Sequence, residues 1–264
     1  KLPAEVGLLL SVAMNLCTQD SLDQVLVKLL KGLRFIWPDP TFVPASKGAV
    51  CQARYRLGAQ PTVALFHRVC QPMATTATPG AFLFGLRLMA IDGSTEDVPD
   101  TLANVSVLGR HTGPRGASAF HQVQGVSLLE CGTHAIVDAG FWPCHTSERL
   151  GGLRLLRSVT AGMLLMWDRG FHSFDMARRT RARGAHFLGR VPSHVHFKPR
   201  RRLPDGSDLA YIYPAAYQRR KSGERLLVRV IDYTFTDPAL PGYGERHRLI
   251  TSLLEAEHAP ALEL

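Results

Sequence analysis

Two apolar segments of this chain end directly at an aspartate, and this feature constrains the fold more than any other. The run FLFGLRLMAI (82–91) is followed by Asp92, and the run GMLLMW (162–167) is followed by Asp168. Short, continuous apolar runs of this kind predict buried strands. Because the carboxyl ends of parallel strands lie at one edge of an open sheet, where ligands bind, we expect the two aspartates to meet there.

The segments around the two aspartates predict a mixed α/β domain. Two strands joined by a tight turn are expected over 120–130 and 133–143, and a capped helix over 146–159. A second helix is expected over 173–184, followed by a strand over 185–191. The predicted order is three strands, a helix, a strand, a helix and a strand, which is the element order of the ribonuclease-H-like fold.

Two converging carboxylates need a positive group between them. Burying an ionised carboxylate is costly unless cations or strong hydrogen-bond donors accompany it. Hard divalent cations prefer carboxylate oxygens, so we expect Asp92 and Asp168 to bind Mg²⁺ or Mn²⁺ in a two-metal site for phosphoryl transfer. The simpler alternatives are a turn-forming aspartate before Gly93 and an ion pair between Asp168 and Arg169.

The first part of the chain, residues 1–78, predicts a separate helical domain, and residues 79–264 form the second domain. A capping-box pattern at Ser21 and Gln24 opens one amphipathic helix, and Ser46 opens a later, basic helix. This domain is either a DNA-binding unit or a plain helical support. The residues that would face phosphate in the DNA-binding alternative are Lys47, Arg54 and Arg56.

The positive charge of the chain is clustered. Lys and Arg total 31 against 22 Asp and Glu, and the excess is concentrated at 178–183, 198–202 and 219–221. Such clusters either bind a polyanion such as DNA or form solvated faces. The candidates for DNA contacts in the second domain are Arg169, Lys198, Arg200, Arg201, Arg202, Arg219, Arg220 and Lys221.

Other sequence features exclude further classes of protein. The five scattered cysteines include no C-x-x-C pair, so they support neither a zinc ribbon nor a disulfide framework. His194 and His196 project from one face of an extended stretch, but no third metal ligand accompanies them. No apolar run is long enough to span a bilayer and no signal peptide opens the chain, so a cytoplasmic protein without a membrane partner is expected.

Three motifs resemble the DDE transposases of the bacterial insertion-sequence-four family. They are AIDGSTEDVPDTLAN (90–104), QVQGVSLLECGTHAIVDA (122–139) and GMLLMWDRGFHSF (162–174), and the amino-terminal part is similar to that family's amino-terminal domain. The resemblance runs over essentially the whole chain. It implies a ribonuclease-H-like mixed sheet with flanking helices, a β-rich insertion at about 197–240, and a catalytic domain that is incomplete at its carboxyl end.

The resemblance also implies an activity. In the family, a phosphodiester at the transposon end is hydrolysed and the freed 3′ hydroxyl then attacks target DNA. Asp92 and Asp168 match the first two catalytic, metal-binding carboxylates. The implied partners are DNA, both transposon ends and target, and a second copy of the chain in a homodimer on DNA.

The third carboxylate of the family has no counterpart in this chain. In the family it lies on a later helix, in the pattern Tyr, two residues, Arg, three residues, Glu. Tyr243 and Arg246 match only the start of this pattern, and Ile250 occupies the Glu position. We therefore expect a transposase fragment that has no strand-transfer activity by itself. The open alternatives are a catalytically dead DNA-binding remnant and a metal-dependent nuclease of the same fold.

Overall fold

The computed structural model describes residues 2–33, 45–113, 116–215 and 223–264. The chain forms two compact units, Lys1–Val69 and Cys70–Leu264. The described part of the first unit is helical, and the second unit is a mixed α/β structure with one large sheet. None of the helices in these ranges is both long enough and apolar enough to cross a membrane.

The helices in the described part of the first unit are α1 (Ala4–Leu16), α2 (Leu22–Leu33), α3 (Lys47–Leu57) and α4 (Gln60–Val69). Two of them, α2 and α3, begin where the capping patterns predict. The predicted capping box is confirmed, because the Ser21 N–H donates to Gln24 Oε1 at 2.7 Å and the Gln24 N–H donates to Ser21 Oγ at 3.4 Å. The Ser46 hydroxyl accepts from the Ala49 N–H at 3.3 Å and caps α3 as predicted. The buried core of this unit consists of Leu10, Val25, Leu26 and Val50.

The second unit is built on a mixed sheet with ten strands among the described residues. The strands are β1 (Phe82–Leu83), β2 (Leu86–Val98), β5 (His121–Glu130), β6 (Ile136–Pro143), β7 (Met163–Trp167), β8 (His186–Arg190), β9 (Pro199–Arg202), β10 (Asp208–Ile212), β11 (Leu226–Tyr233) and β12 (His247–Thr251). A separate hairpin joins β3 (Thr112–Gly113) to β4 (Gly116–Ala117). The order across the large sheet is β6–β5–β2–β7–β8–β12–β11–β10–β9, with β1 beside β2.

The parallel pairs lie at the centre of this sheet. β7 runs parallel to both β2 and β8, whereas the other neighbouring pairs are antiparallel. Parallel strands need a crossover connection, which α6 (Glu148–Leu155) and α7 (Phe174–Ala182) supply on either side of β7. α6 packs on β2, β5 and β6, and α7 packs on β8 and α6. The apolar run of β7 is therefore largely buried, as its composition predicts, whereas in β2 Met89 and Ile91 are buried and the neighbouring residues are partly exposed.

Two connections differ from the sequence-based expectation. The tight turn expected at Cys131 is a longer connection that extends to Ala135. The polar composition of the stretch after β2 predicts a loop, but this stretch contains the short helix α5 (Leu102–Val107), whose first turn is capped by the Thr101 hydroxyl. Short helices of this kind depend on one cap and few apolar residues, which gives them a weak sequence pattern.

Strand β2 is also longer than predicted. It does not end at Asp92, because the following residues pair with β5 as far as Val98 opposite His121. Only the pairing with β7 stops earlier, at Ile91 opposite Trp167. Asp92 thus lies within β2, at the point where that strand separates from β7.

A buried arginine holds the residues that follow β12. Arg229 on β11 is fully buried, and its guanidinium donates to the Ala259 carbonyl at 2.6 Å and contacts the Asp205 carboxylate. Asp205 also accepts a hydrogen bond from the Ala261 N–H at 3.0 Å. These contacts tie residues 259–261 to the β10–β11 region of the sheet.

Candidate active site

Asp92 and Asp168 lie side by side where β2 and β7 stop pairing. Each aspartate directly follows a member of the last parallel pair, Ile91 opposite Trp167. Neighbouring strands are about 4.8 Å apart and residues in register share a face, so the two carboxylates start from adjacent positions on one face of the sheet. Both aspartates are exposed.

Buried neighbours and local hydrogen bonds fix the backbone at both aspartates. Ile91 and Trp167, the residues that precede them, are only 3% and 4% exposed. Asp92 Oδ1 accepts from the Gly93 N–H at 2.8 Å, and Asp168 Oδ1 accepts from the Gly170 N–H at 2.9 Å. The two carboxylates therefore extend into solvent from a rigid base.

A third carboxylate, that of Glu148, reaches the same place from α6. The Ser147 hydroxyl caps this helix, and Glu148 is in its first turn. Glu148 Oε1 lies 2.6 Å from the position that a Cβ would occupy on Gly93. The position that a Cβ would occupy on Gly170 lies 3.1 Å from Glu148 Oε2 and 3.2 Å from Asp168 Oδ1. The distance between these two oxygens is therefore at most the sum of these two values.

The two glycines make room for Glu148. An added Cβ at Gly93 would overlap with the Glu148 carboxylate, and one at Gly170 would make tight contacts with the carboxylate oxygens of Glu148 and Asp168. Gly93 directly follows Asp92, and Gly170 lies two residues after Asp168. Together they leave a cradle bordered by three carboxylates.

The three carboxylates lie close enough for the charges of Asp168 and Asp92 to act on Glu148. Burial raises the pKa of the Glu148 carboxyl, and the charges of Asp168 and Asp92 raise it further, against a hydrogen bond with Gln124 that lowers it. Within the described residues, no Lys or Arg forms an ion pair with any of the three. This arrangement suits a cation that comes from solution.

The donor set at this place fits a hard divalent cation. Carboxylate oxygens are the ligands that Mg²⁺ and Mn²⁺ prefer, and the glycine cradle leaves space between them. In the described parts of the chain, no group of three His, Cys, Asp or Glu side chains is already arranged around a metal position. Side-chain rotation, which an exposed carboxylate undergoes readily, is therefore needed to close the site.

The sequence analysis missed Glu148. An acidic residue in the first turn of a capped helix is ordinary, because the helix dipole favours it there, and this local pattern carries no sign of a site. The indirect signal is a glycine shortly after each aspartate, at Gly93 and Gly170. It becomes meaningful only when α6 is known to pack across β2.

A cavity of about 620 Å³ opens beside Asp92 and Asp168. Apolar side chains from the central and outer strands line most of it, together with residues near the carboxyl end of the chain. Its apolar lining includes Met166, Leu188, Ile231, Leu249 and Leu262. The two aspartates thus stand at the border between solvent and an apolar surface.

The predicted DNA-contact residues of the first unit lie on α3. Lys47 forms an ion pair with Asp23 at 3.3 Å. Arg54 Nη1 lies 3.8 Å from the Met14 sulfur. All three basic residues, including Arg56, are exposed.

The predicted basic residues of the second unit are not all brought together. Lys198 precedes β9, and the exposed side chains of Arg200, Arg201 and Arg202 follow along this edge strand of the sheet. Arg202 pairs with Asp208 at 2.9 Å. Arg169 instead lies beside Asp168 in the chain, but its guanidinium contacts His247 Nδ1 at 3.2 Å. The remaining candidates, Arg219, Arg220 and Lys221, lie outside the described residues.

His194 and His196 line a second cavity of about 350 Å³ together with His172. Burial, aided by His194 and Arg149, lowers the pKa of His172 to about 4, so this imidazole is neutral at physiological pH. Within the described ranges these histidines form no metal-binding group. The cysteines are free thiols.

Comparison with known proteins gives consistent matches. Residues 1–67 match the family model described as the insertion element 4 transposase N-terminal. The whole chain is 27% identical to transposase InsG for insertion sequence element IS4 of Escherichia coli, covering 58% of that protein. Half of the chain is 28% identical to putative transposase InsZ of Escherichia coli, covering 44% of it.

One solved structure is also similar in part. It is a piggyBac transposase synaptic complex with hairpin DNA, with a TM-score of 0.43, 15% identity and coverage of 96% of this chain and 51% of that one. The chain spans about half the length of the curated relatives that it matches. The amino-terminal family model and the two curated relatives agree with the motifs read from the sequence and support the similarity of this chain to IS4-family transposases.

Proposed function

We propose that this chain binds transposon-end DNA and contributes Asp92 and Asp168 to a two-metal site for phosphodiester hydrolysis and strand transfer. The observation that carries the proposal is the register of β2 and β7, which puts the two aspartates side by side beside an open cavity. Both are free of arginine and lysine partners among the described residues. Similarity to IS4-family transposases suggests the reaction class.

The strand arrangement supports a ribonuclease-H-like catalytic domain. Three antiparallel strands (β2, β5 and β6) are followed by α6, by β7 parallel to β2, by α7 and by β8. This is the element order that we associate with that fold. We assign residues 79–264 to the catalytic domain, residues 1–78 to a helical domain that contacts DNA, and residues 197–240 to the β-rich insertion.

Asp92 and Asp168 would hold Mg²⁺ or Mn²⁺. When bound, a pair of such ions activates the attacking oxygen and stabilises the leaving oxygen of a phosphodiester. The chain's own contribution is positional, because the buried strands β2 and β7 set the spacing of the two carboxylates, and Gly93 and Gly170 keep the space between them open.

DNA would be held chiefly by charge. The exposed arginines of β9 and the basic residues of α3 are suited to phosphate contacts, which give affinity but little sequence information. A homodimer on DNA follows from the family resemblance. Because the family's third acid has no counterpart in the chain, we expect metal and DNA binding from it without strand transfer.

Metal titration of the full chain tests the catalytic assignment. Mn²⁺ affinity, measured by the electron paramagnetic resonance of the free ion, should fall at least about tenfold in both Asp92→Asn and Asp168→Asn. Unchanged affinity in both variants would contradict the assignment and favour a DNA-binding remnant. Mg²⁺-dependent cleavage of duplex DNA that is lost in Asp168→Asn, without joining of the ends, would instead favour a nuclease.

A further inference from the structure

We propose that Glu148 is a metal ligand of the same site, supplied from α6 in addition to Asp92 and Asp168. The inference rests on the proposed function, because it assumes a divalent cation between the two aspartates. It concerns a residue of this chain that lies before Asp168 in the sequence, and is therefore distinct from the third acid expected on a later helix.

The first argument is position. The Ser147 cap and the packing of α6 on β2, β5 and β6 fix the backbone of Glu148. From there the side chain crosses Gly93 and Gly170, the two glycines next to the aspartates. The carboxylate thus approaches the site from the helical layer, on a different element from either aspartate.

The second argument is the space that the chain leaves for it. At Gly93, an added Cβ would lie 2.6 Å from both Glu148 Cδ and Oε1, closer than non-bonded atoms approach. At Gly170 the nearest atoms to an added Cβ are Glu148 Oε2 and Asp168 Oδ1. Glycine at position 93 therefore leaves the space that the Glu148 carboxylate occupies, and glycine at position 170 avoids a tight contact with the carboxylates of Glu148 and Asp168.

The third argument is charge. In a chain with 31 Lys and Arg, Glu148 has no cationic side chain in ion-pair contact among the described residues. It is hydrogen-bonded to Gln124, and the charges of Asp168 and Asp92 act on it. Three like charges at this spacing repel one another, and a divalent cation bound between them attracts each carboxylate and offsets this repulsion.

The test is metal binding by the full chain, measured as Mn²⁺ affinity in Glu148→Gln, with Glu257→Gln as the matched control. Glu257 is exposed, and its substitution removes the same charge from the same side-chain shape. We expect affinity to fall at least about tenfold in Glu148→Gln and to stay unchanged in Glu257→Gln. A thermal melting curve recorded without metal establishes whether Glu148→Gln folds. If it does not fold, Glu148→Asp, which keeps the charge on a shorter side chain, replaces it in the metal-binding measurement.

Tb³⁺ luminescence separates direct ligation from a charge acting at a distance. Lifetimes in H₂O and D₂O count the waters on the bound ion, and loss of a protein ligand adds at least one water. We expect an added water in Glu148→Gln. An unchanged water count, or wild-type Mn²⁺ affinity in Glu148→Gln while Asp168→Asn loses it, would overturn the role of Glu148 and leave the proposed function standing. Wild-type affinity in both variants would overturn the proposed function as well.

Discussion

Two groups of acidic residues in the second unit have opposite surroundings. In the first group each acid lies against arginine: Glu130 with Arg87, Asp138 with Arg157, Asp205 with Arg229, and Asp232 with Arg246 and Arg248. In the second group, Asp92, Asp168 and Glu148 have one another as their charged neighbours. A chain with a large excess of positive charge thus leaves these three acids without an ion-paired arginine or lysine among the described residues, although Arg190 lines the same cavity as the two aspartates.

The pKa values report the same contrast. Burial by itself would raise the pKa of each acid in the first group, but hydrogen bonds and arginine charges outweigh burial and lower it. For Glu148, burial and two neighbouring carboxylates act in the same direction and raise the pKa. The first group stabilises the folded chain, whereas the second carries an electrostatic cost of the kind typical of functional sites.

The largest expected effect concerns Arg229, the fully buried arginine that pairs with Asp205 of the first group. Arg229→Met removes the partner of Asp205 and the donor to the Ala259 carbonyl. Because the variant leaves the Ala259 carbonyl and the buried Ser207 hydroxyl without their donor and Asp205 without its charged partner, the free energy of unfolding should fall by about 3 kcal/mol, measured by urea denaturation at pH 7. A smaller loss in the double variant Arg229→Met, Asp205→Asn would show that the unpaired charge is the cause.

A smaller effect is expected at Asp138, which is 1% exposed and accepts from Arg157 and Ser158. Asp138→Asn should lower the free energy of unfolding by about 2 kcal/mol at pH 7. Because the folded pKa lies below 3.8, this stability is present above pH 3.8 and is lost as the pH falls through the folded value. The difference between wild type and variant should therefore shrink in acid, and an equal difference at pH 7 and pH 2 would contradict the prediction.

The second group should respond in the opposite direction. In metal-free protein, Glu148→Gln removes a like charge and should raise the free energy of unfolding by about 0.5 kcal/mol at pH 7, since solvent screens a half-buried group. The folded pKa is raised, so the gain should vanish below pH 4.5, where Glu148 is protonated in folded and unfolded chains alike. If Glu148→Gln instead lowered the free energy of unfolding of metal-free protein at pH 7, Glu148 would belong with the stabilising acids of the first group.

The smallest effect on stability is expected at Gly93. In Gly93→Ala the new Cβ contacts the flexible end of the Glu148 side chain, which can rotate away. The free energy of unfolding should therefore change by less than about 1 kcal/mol. Mn²⁺ affinity should nevertheless fall, because the displaced carboxylate leaves the cradle. Gly32→Ala is the control, since an added Cβ there has no neighbour within 4 Å. A large loss of stability with unchanged Mn²⁺ affinity would show that the glycine serves packing alone.

Much of the fold was predictable because the patterns are local. The apolar runs before Asp92 and Asp168 predict the central strands, and the caps at Ser21 and Ser46 predict two helices of the first unit. The continuation of β2 past Asp92 was not predictable in this way. Residues 92–97 are polar apart from Gly93, and they form a strand because they pair with β5.

The candidate site divides in the same manner. Asp92 and Asp168 were found because each follows a buried strand, whereas Glu148 was missed because its own segment looks like any capped helix start. The two electrostatic partners of Arg229, Asp205 and the Ala259 carbonyl, were also not identified in advance. Contacts between segments far apart in the chain leave no periodic pattern to read.

The sequence by itself therefore determined the central strands, the helical first unit, the pair of aspartates and the family, since each depends on local periodicity, capping or residue motifs. Only the tertiary structure decided which acids have arginine partners and which do not. It brought Glu148 across Gly93 and Gly170 to the two aspartates, because the position of α6 over the sheet follows from the packing of its buried residues against β2, β5 and β6. Side-chain charge then acts over the few ångströms that this packing sets.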